Sequence, residues 1–212
     1  MRQGNGCSEM TGGWDIIRAA SLLTGIMVSG VETALDGFVQ RFAASAGGAF
    51  PPEKYDPEWG SPCLIGGPDS AGFVCWEPVR QEEKTDFRGL ENALEVEIHG
   101  DIKAFYGAYW SACLEAASEE GPVSLIQLWN REDFDRLIEN LIGHAMAKQR
   151  LKHPFTVFVA TTAEDSELFL SVDNETGRVL LEEPGYPPRR QVDENLASFI
   201  DRLTPCPEQT RT

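Results

Sequence analysis

Positive charge is scarce in this sequence of 212 residues. Its 18 Lys and Arg side chains stand against 34 Asp and Glu side chains, which gives a formal charge of −16 at pH 7. Binding to nucleic acid depends on a basic surface that neutralises phosphates, so we expect no nucleic-acid partner. The same negative charge repels anionic lipid, so we expect no direct insertion into lipid. High net charge also favours a monomer in solution.

Long hydrophobic runs are absent as well. The longest uncharged apolar stretch covers residues 19–31, which is thirteen residues. A helix that spans a membrane needs about 20 apolar residues, so no span is predicted. Residues 1–26 are rich in glycine and other small side chains. We therefore predict a flexible extension there that is not part of the native protein, with Met27 as its natural start.

The motifs of common enzymes and metal sites are also missing. The sequence has no G-x-S-x-G, no G-x-x-x-x-G-K and no H-E-x-x-H, which are the signatures of hydrolases, nucleotide-binding loops and zinc proteases. Its three His are scattered, and its five Cys include no C-x-x-C pair. We predict neither a metal nor a cofactor, and no enzymatic activity.

An unrecognised hydrolase is one alternative. It would pair His144 with a carboxylate, or His99 with Asp101, or use Cys63 as a nucleophile beside a histidine. The competing interpretation is structural, because His144 follows Asn140 by four residues on a predicted helix and the two can form a polar pair at the border of the core. A carboxylate–histidine or Cys–His pair within a cavity would favour the hydrolase.

What the sequence does contain is clear apolar periodicity. Spacings of three and four residues predict a helix over residues 31–44 and one long helix over residues 87–109, with a kink at Gly100. A third helix begins after Asn130, a good N-cap residue, and ends near Lys152. Asp193 is predicted to cap a last helix.

Strands are predicted between these helices. Residues 73–76 form a short strand, and residues 110–129 form a hairpin around a turn at Gly121. Residues 155–161 are rich in β-branched and aromatic side chains, as in a buried strand. Residues 168–181 form a second hairpin.

The order of these elements predicts an α+β fold. It is a single domain over residues 27–205, with a mixed, mainly antiparallel sheet and helices packed against it. Residues 206–212 are predicted to be a tail.

Charge is unevenly distributed along the chain. Residues 77–139 contain fifteen acidic and six basic side chains, whereas residues 140–163 contain no carboxylate. On the predicted long helix, Glu91 and Glu95 are four residues apart, as are Glu97 and Asp101. Like charges at this spacing repel each other, and a cationic partner would relieve the repulsion. The simpler interpretation is a solvated outer face.

Several short segments carry a resemblance to a known family. The most specific are the run ENLIGH and, shortly after it, QRLKHPFTVFVAT. The sequence resembles the Syd family of SecY-interacting proteins over residues 27–204. The other matching segments are Gly60-Ser61-Pro62-Cys63, Trp76-Glu77-Pro78, Phe105-Tyr106, Gln127-Leu128-Trp129, Asp133-Phe134 and Asn195-Leu196-Ala197-Ser198-Phe199.

The resemblance implies a function without catalysis. Members of this family are expected to bind SecY, a subunit of the Sec translocase, at the cytoplasmic side of the inner membrane. They would be cytoplasmic and peripheral to that membrane, and would act in regulation or quality control of translocation. The family is similar to the SUKH superfamily, an α+β group, and an immunity module that binds a basic toxin is therefore the alternative.

The predicted binding site is an acidic concave surface. Cytoplasmic loops of membrane proteins carry an excess of Lys and Arg, which such a surface would attract. Two tryptophans, Trp76 and Trp129, are candidates for the lining of the groove. The predicted acidic residues are Glu91, Glu95, Glu97, Asp101, Glu132, Asp133 and Asp135.

Overall fold

Five helices and twelve strands make up the part of the chain that the computed structural model describes, residues 29–163 and 165–207. The extension predicted for residues 1–26 and most of the predicted tail lie outside these residues. The helices are α1 (Gly30–Ser45), α2 (Arg88–Leu94), α3 (Gly100–Ala108), α4 (Arg131–Leu151) and α5 (Leu196–Arg202). The strands are β1 (Glu53–Lys54), β2 (Leu64–Ile65), β3 (Phe73–Trp76), β4 (Val79–Arg80), β5 (Tyr109–Trp110), β6 (Leu114–Ser118), β7 (Gly121–Leu125), β8 (Thr156–Thr161), β9 (Phe169–Asp173), β10 (Val179–Glu182), β11 (Arg190–Asp193) and β12 (Thr204–Pro205).

A seven-stranded sheet forms the centre of the molecule. Its strand order is β11-β10-β9-β8-β7-β6-β12, and all neighbouring strands are antiparallel. Both predicted hairpins are confirmed, as β6–β7 and β9–β10. A three-stranded sheet, β1-β3-β2, and the pair β4–β5 complete the strands of the described residues. The predicted α+β fold with a mainly antiparallel sheet is confirmed.

The two faces of the outer half of this sheet differ in polarity. The strand registers place Thr156, Ser171 and Glu182 on one face, and all three are buried. That face packs against α4, since His144 of α4 contacts Thr156. The alternating positions, such as Val157, are fully buried and belong to the same apolar core as α1, α3 and α5.

The first predicted helix is confirmed as α1. The Ser29 hydroxyl accepts a hydrogen bond from the Glu32 amide and caps it. Apolar side chains at steps of four and three, including Leu35 and Phe38, have no exposed surface. They pack against α3 and α5. Burial of this stripe explains why the helix forms, because the isolated segment is only 16 residues long.

The helix predicted over residues 87–109 is wrong as a single element. The chain leaves α2 at Glu95, whose φ of 54° is left-handed, and α3 begins only after His99. The His99 ring nitrogen accepts a hydrogen bond from the Asp101 amide and caps α3. Both halves keep helical spacing of apolar residues, so periodicity alone did not reveal the break between them.

The predicted cap of the last helix is also wrong. Asn195 caps α5, with its side-chain oxygen accepting from the Ser198 amide at 2.9 Å. Asp193 instead ends β11 and accepts a hydrogen bond from Arg202 at 2.9 Å. Both Asp and Asn are good caps, and pairing of β11 with β10 keeps Asp193 extended.

Candidate partner-binding surface

The seven predicted carboxylates fall into two groups. Four lie on α2, on α3 and in the turn between them, residues 91–101, and three lie in the first turns of α4. The helices that carry them are packed together, because Phe87 at the start of α2 meets Phe134 of α4 edge to face at 5.2 Å. Since α2 is seven residues long, it extends about 10 Å from this contact.

Glu91 is part of the internal structure of the turn and not of a free acidic row. Its carboxylate accepts a hydrogen bond from the Ile98 amide at 2.9 Å and pairs with Lys103 at 2.6 Å. These two interactions lower the pKa of Glu91. The predicted row of Glu91 and Glu95 is therefore wrong, because one member is neutralised within the chain.

Glu95, Glu97 and Asp101 remain as the outward charges of the first group. Glu95 is exposed, and the side chain of Glu97 is 90% exposed with Lys103 at a distance of 3.9 Å. Asp101 is partly buried in the first turn of α3, where the helix dipole favours a negative charge.

The turn that holds these charges is fixed against the β9–β10 hairpin. Asn174 accepts a hydrogen bond from the His99 amide at 3.0 Å and donates one to the Glu97 carbonyl at 2.8 Å. The His99 ring lies directly over Gly177, where an added Cβ would come within 2.7 Å of it. Gly177 also has a φ of 74°, so glycine is required there on both counts.

The second group lies at the start of α4. The Asn130 side chain accepts a hydrogen bond from the Asp133 amide at 2.9 Å and caps the helix. In return, the Asp133 carboxylate accepts a hydrogen bond from the Trp129 amide at 3.1 Å, as in a capping box. Asp133 thus has a structural role. Glu132 and Asp135 are exposed, and Asp135 contacts Arg131 at 3.5 Å, a distance at which an exposed pair contributes little.

The tryptophans pack inside the molecule. Trp76 is 3% exposed, and its indole donates to the Pro51 carbonyl at 2.7 Å. It meets Trp129 edge to face at 5.9 Å, and Trp129 is half-buried, with its indole donating to the Trp59 carbonyl. Trp76 therefore has no surface to line a groove, which corrects its predicted role, while Trp129 keeps a partly exposed edge.

Sequence reasoning missed three further exposed carboxylates in the same part of the chain, residues 77–139. Glu82 and Glu83 lie in the loop before α2, and Glu139 lies on α4. None of the three forms an ion pair with another described residue. Glu139 follows Asp135 by four residues on the predicted helix, and this spacing could have found it. For Glu82 and Glu83, the excess of negative charge over residues 77–139 is the signal in the sequence.

The "acidic surface" is defined from here on by the outward carboxylates that remain. They are Glu82, Glu83, Glu95, Glu97, Asp101, Glu132, Asp135 and Glu139.

His144 has a different neighbour from the predicted one. Its Nε2 lies 3.1 Å from the Thr156 hydroxyl, and no hydrogen bond joins it to Asn140. The Thr156 hydroxyl also helps to lower the pKa of Glu182, so it lies between a histidine and a carboxylate. Burial, together with nearby Lys148, lowers the pKa of His144 and favours the neutral imidazole.

This carboxylate is saturated by its neighbours. Glu182 is fully buried, pairs with Lys148 and accepts a hydrogen bond from Ser171. Burial would raise the pKa of Glu182, but the hydrogen bonds from Lys148, Ser171 and Thr156 outweigh burial and lower it. A general base must reach the proton that it takes up, and Glu182 has no exposed surface from which to contact a substrate.

Cys63 lacks the features of a nucleophile. Its side chain is buried, and burial raises the pKa of the thiol to about 11, against the weaker effect of a hydrogen bond from Ser61. A protonated thiol is a poor nucleophile. Within residues 29–163 and 165–207, no cluster of His, Cys, Asp and Glu is arranged to hold a metal ion.

Comparison with known proteins decides the family. The family model described as "Syd protein (SUKH-2)" matches residues 32–205. The chain belongs to the Syd family. The match covers the seven-stranded sheet and all five described helices, apart from the first two residues of α1.

Individual relatives agree with this assignment. A Protein Syd from Pseudoalteromonas atlantica is 41% identical over 186 residues, which cover 84% of this chain and 98% of the relative. A Protein Syd from Hahella chejuensis is 44% identical over 68% of this chain and 74% of its own. One from Colwellia psychrerythraea is 39% identical over 74% and 82%.

Among the described residues, no helix is both long and apolar enough to cross a lipid bilayer.

Proposed function

We propose that this chain binds the SecY subunit of the Sec translocase at the cytoplasmic face of the inner membrane. It would do so through the acidic surface, without catalysing a reaction, and would regulate the translocase or monitor its assembly. Membership of the Syd family supports this proposal, because the resemblance stated above implies SecY as the partner. The protein would be cytoplasmic and would attach peripherally to the membrane.

The observation that carries the mode of binding is a set of exposed carboxylates without internal partners. Glu95, Glu132 and Glu139 are exposed and form no ion pair with another described residue. The cationic loops on the cytoplasmic side of membrane proteins would supply the missing charge. Attraction of this kind raises the association rate and orients the partner more than it deepens the affinity.

The roles within this surface differ from residue to residue. Glu95, Glu97, Glu132 and Asp135 would contact the cationic loop directly, since each is exposed. Glu91 and Asp133 would act indirectly, because they hold the α2–α3 turn and the start of α4 in shape. The remaining edge of Trp129 lies beside the second group.

Reversal of charge tests the proposal. A variant with Glu95, Glu97, Glu132 and Asp135 all changed to Lys should keep the fold, since these side chains are exposed, but should no longer be captured by membranes that contain SecY. Pull-down at low and at high salt is the measurement, and wild-type capture should weaken as salt rises.

A matched control removes the effect of net charge alone. The residues Glu119, Asp165, Glu167 and Asp201 are exposed and lie in the β6–β7 turn, in the loop between β8 and β9, and on α5, outside the acidic surface. Their change to Lys alters the net charge by the same amount, and this control should retain most of the capture. Equal capture by both variants would contradict the acidic surface as the binding site.

The "SUKH-2" label of the matching family keeps one alternative in view. An immunity module would use the same acidic surface to cover a basic toxin. It predicts no capture by SecY-containing membranes for the wild-type protein at any salt concentration, which separates it from the function proposed here.

A further inference from the structure

A cleft of about 200 Å³ lies at the opposite end of α4 from the acidic surface. It is bounded by the C-terminal half of α4, by strands β8 and β9, and by the loop after β10. We call it the α4 cleft. The residues that line it and matter here are His144, Ala147, Lys148, Leu151, Phe169 and Tyr186.

The floor of the α4 cleft carries no net charge. Lys148 and Glu182, the charged groups there, are 6% and 0% exposed and pair with each other. Ser171 donates its hydroxyl hydrogen to the same carboxylate. Lys148, Glu182 and Ser171 satisfy each other, so they do not require a charged ligand. His153 also lines the cleft, and its buried Nδ1 has no hydrogen-bond partner among the described residues, so one polar group beside the apolar side chain of a ligand would suit the cleft.

The walls of the α4 cleft are apolar and unusually exposed. Six large hydrophobic side chains of the described residues are exposed, and two of them lie here. Leu151 and Tyr186 line the cleft and are 46% and 60% exposed. Clustering of exposed apolar side chains around a concavity is typical of an interaction site.

The chain segment on either side of the lining residue Leu151, which we call the rim of the α4 cleft, is cationic in a protein that is otherwise acidic. Residues 140–163 contain no carboxylate, and Arg150 and Lys152 flank the lining residue Leu151. Neither forms an ion pair with another described residue. The carboxylate of Glu183, which also lines the cleft, is already paired with Arg189. Two positive charges that form no ion pair within residues 29–163 and 165–207 therefore remain at the rim.

We infer that the α4 cleft is a second docking site, which takes one aromatic or branched apolar side chain from a peptide segment flanked by Asp and Glu. The volume of the cleft and its apolar walls suit a single large side chain. The positive charges of the rim would attract the Asp and Glu residues that flank this side chain in the peptide. The basic loops proposed as ligands of the acidic surface have the opposite charge. The two sites would therefore select different partners, or different segments of one partner.

An anionic membrane surface is the competing occupant. The apolar residues here surround a concavity with a neutral floor, which fits an inserted side chain better than a flat layer of headgroups. The net charge of −16 also opposes close approach to anionic lipid. The peptide is thus the occupant that these observations favour.

A model peptide tests the assignment. The probe is a blocked pentapeptide with Trp between two acidic pairs, titrated into the full chain while amide resonances are followed by NMR. The expected result is saturable shifts confined to residues 144–153 and 183–186, which weaken as salt rises. Replacing Trp by Ala, or the acidic pairs by Lys, should weaken binding at least tenfold.

A protein variant provides the matched control. Ala147 is exposed and lines the cleft, so Ala147→Trp should fill it and reduce peptide affinity at least tenfold with the fold retained. Ala44→Trp places the same side chain on the exposed face of α1 and should leave binding unchanged.

Three results would overturn the inference. One is the absence of shifts at the cleft at millimolar peptide. Another is equal binding of the acidic and the Lys-containing peptide. The third is that phosphatidylglycerol vesicles, but not the peptide, bind the protein in a manner that Ala147→Trp abolishes, which would assign the site to membrane.

Discussion

The two ends of α4 differ in charge, burial and predicted partner. Its first turns expose Glu132 and Asp135, whereas its last turns bury Lys148 against Glu182 and carry Arg150 toward solvent. Each end matches the helix dipole, which favours anions at the start and cations at the end. Even in a strongly acidic chain, one helix of 21 residues therefore carries negative charge at its start and positive charge at its end.

Burial also separates the two ends energetically. Exposed charges at the start of α4 contribute little to folding and remain available to a partner. The Lys148–Glu182 pair at the other end is enclosed, so removal of one member leaves the other charged and buried. We therefore expect substitutions at the two ends to affect different properties.

The largest expected effect is on stability at the cleft end. Glu182→Gln should lower the free energy of unfolding by about 3–5 kcal/mol, because Lys148 would keep its charge without a buried partner. Glu183→Gln is the matched control, since its pair with Arg189 is more exposed and should contribute less than about 1 kcal/mol. Urea unfolding measures both, and similar small losses would contradict the contrast between the two ends.

A smaller loss is expected at the acidic end. Asn130→Ala removes the cap of α4 and the hydrogen bond from its side chain to the Gly60 carbonyl at 2.7 Å. The free energy of unfolding should fall by about 1–2 kcal/mol. Asn140→Ala, in the exposed middle of α4, should cost nothing, because Ala is the better helix former. A loss as large for Asn140→Ala would argue against a specific cap.

Two carboxylates of the α2–α3 turn should behave differently. Glu91→Gln weakens the pair with Lys103 and the bond from the Ile98 amide, and should cost about 1 kcal/mol, whereas Glu97→Gln should cost almost nothing. The pKa of Glu91 is lowered in the fold, so its contribution is present above the unfolded pKa and is lost as pH falls through the folded one. Unfolding of both variants across acidic pH tests this, and equal profiles would refute the internal role of Glu91.

The smallest effect concerns pH at the α4 cleft. Because burial and Lys148 lower the pKa of His144, the unfolded chain binds a proton more readily than the folded one. Stability should therefore fall as pH drops below about 6.5. His144→Gln, which cannot titrate, should flatten the decline in melting temperature between about pH 7 and 5. A decline of unchanged slope would contradict this origin.

The fold and the site were predictable to different degrees. Local signals sufficed for α4, where Asn130 and a regular apolar stripe agree, and for the two hairpins. They failed at Glu95, because a left-handed residue between two helices of equal periodicity leaves no trace in the spacing of apolar residues.

The pairing of charged groups was beyond local signals altogether. The contact of Glu91 with Lys103 depends on how the α2–α3 turn closes, and that of Lys148 with Glu182 spans 34 positions. Trp76 could not be told from a surface tryptophan by composition. The excess of carboxylates could be read from the sequence, but which of them remain unpaired could not.

The central claim is that exposed carboxylates near the start of α4 bind cationic segments of SecY. Its most direct test is the association rate of this chain with SecY held in a lipid nanodisc, measured over a range of ionic strength. The account predicts a wild-type rate that falls steeply with salt, and a slow, salt-insensitive rate when Glu95, Glu97, Glu132 and Asp135 are all Lys. Equal rates and equal salt dependence for the two proteins would contradict it.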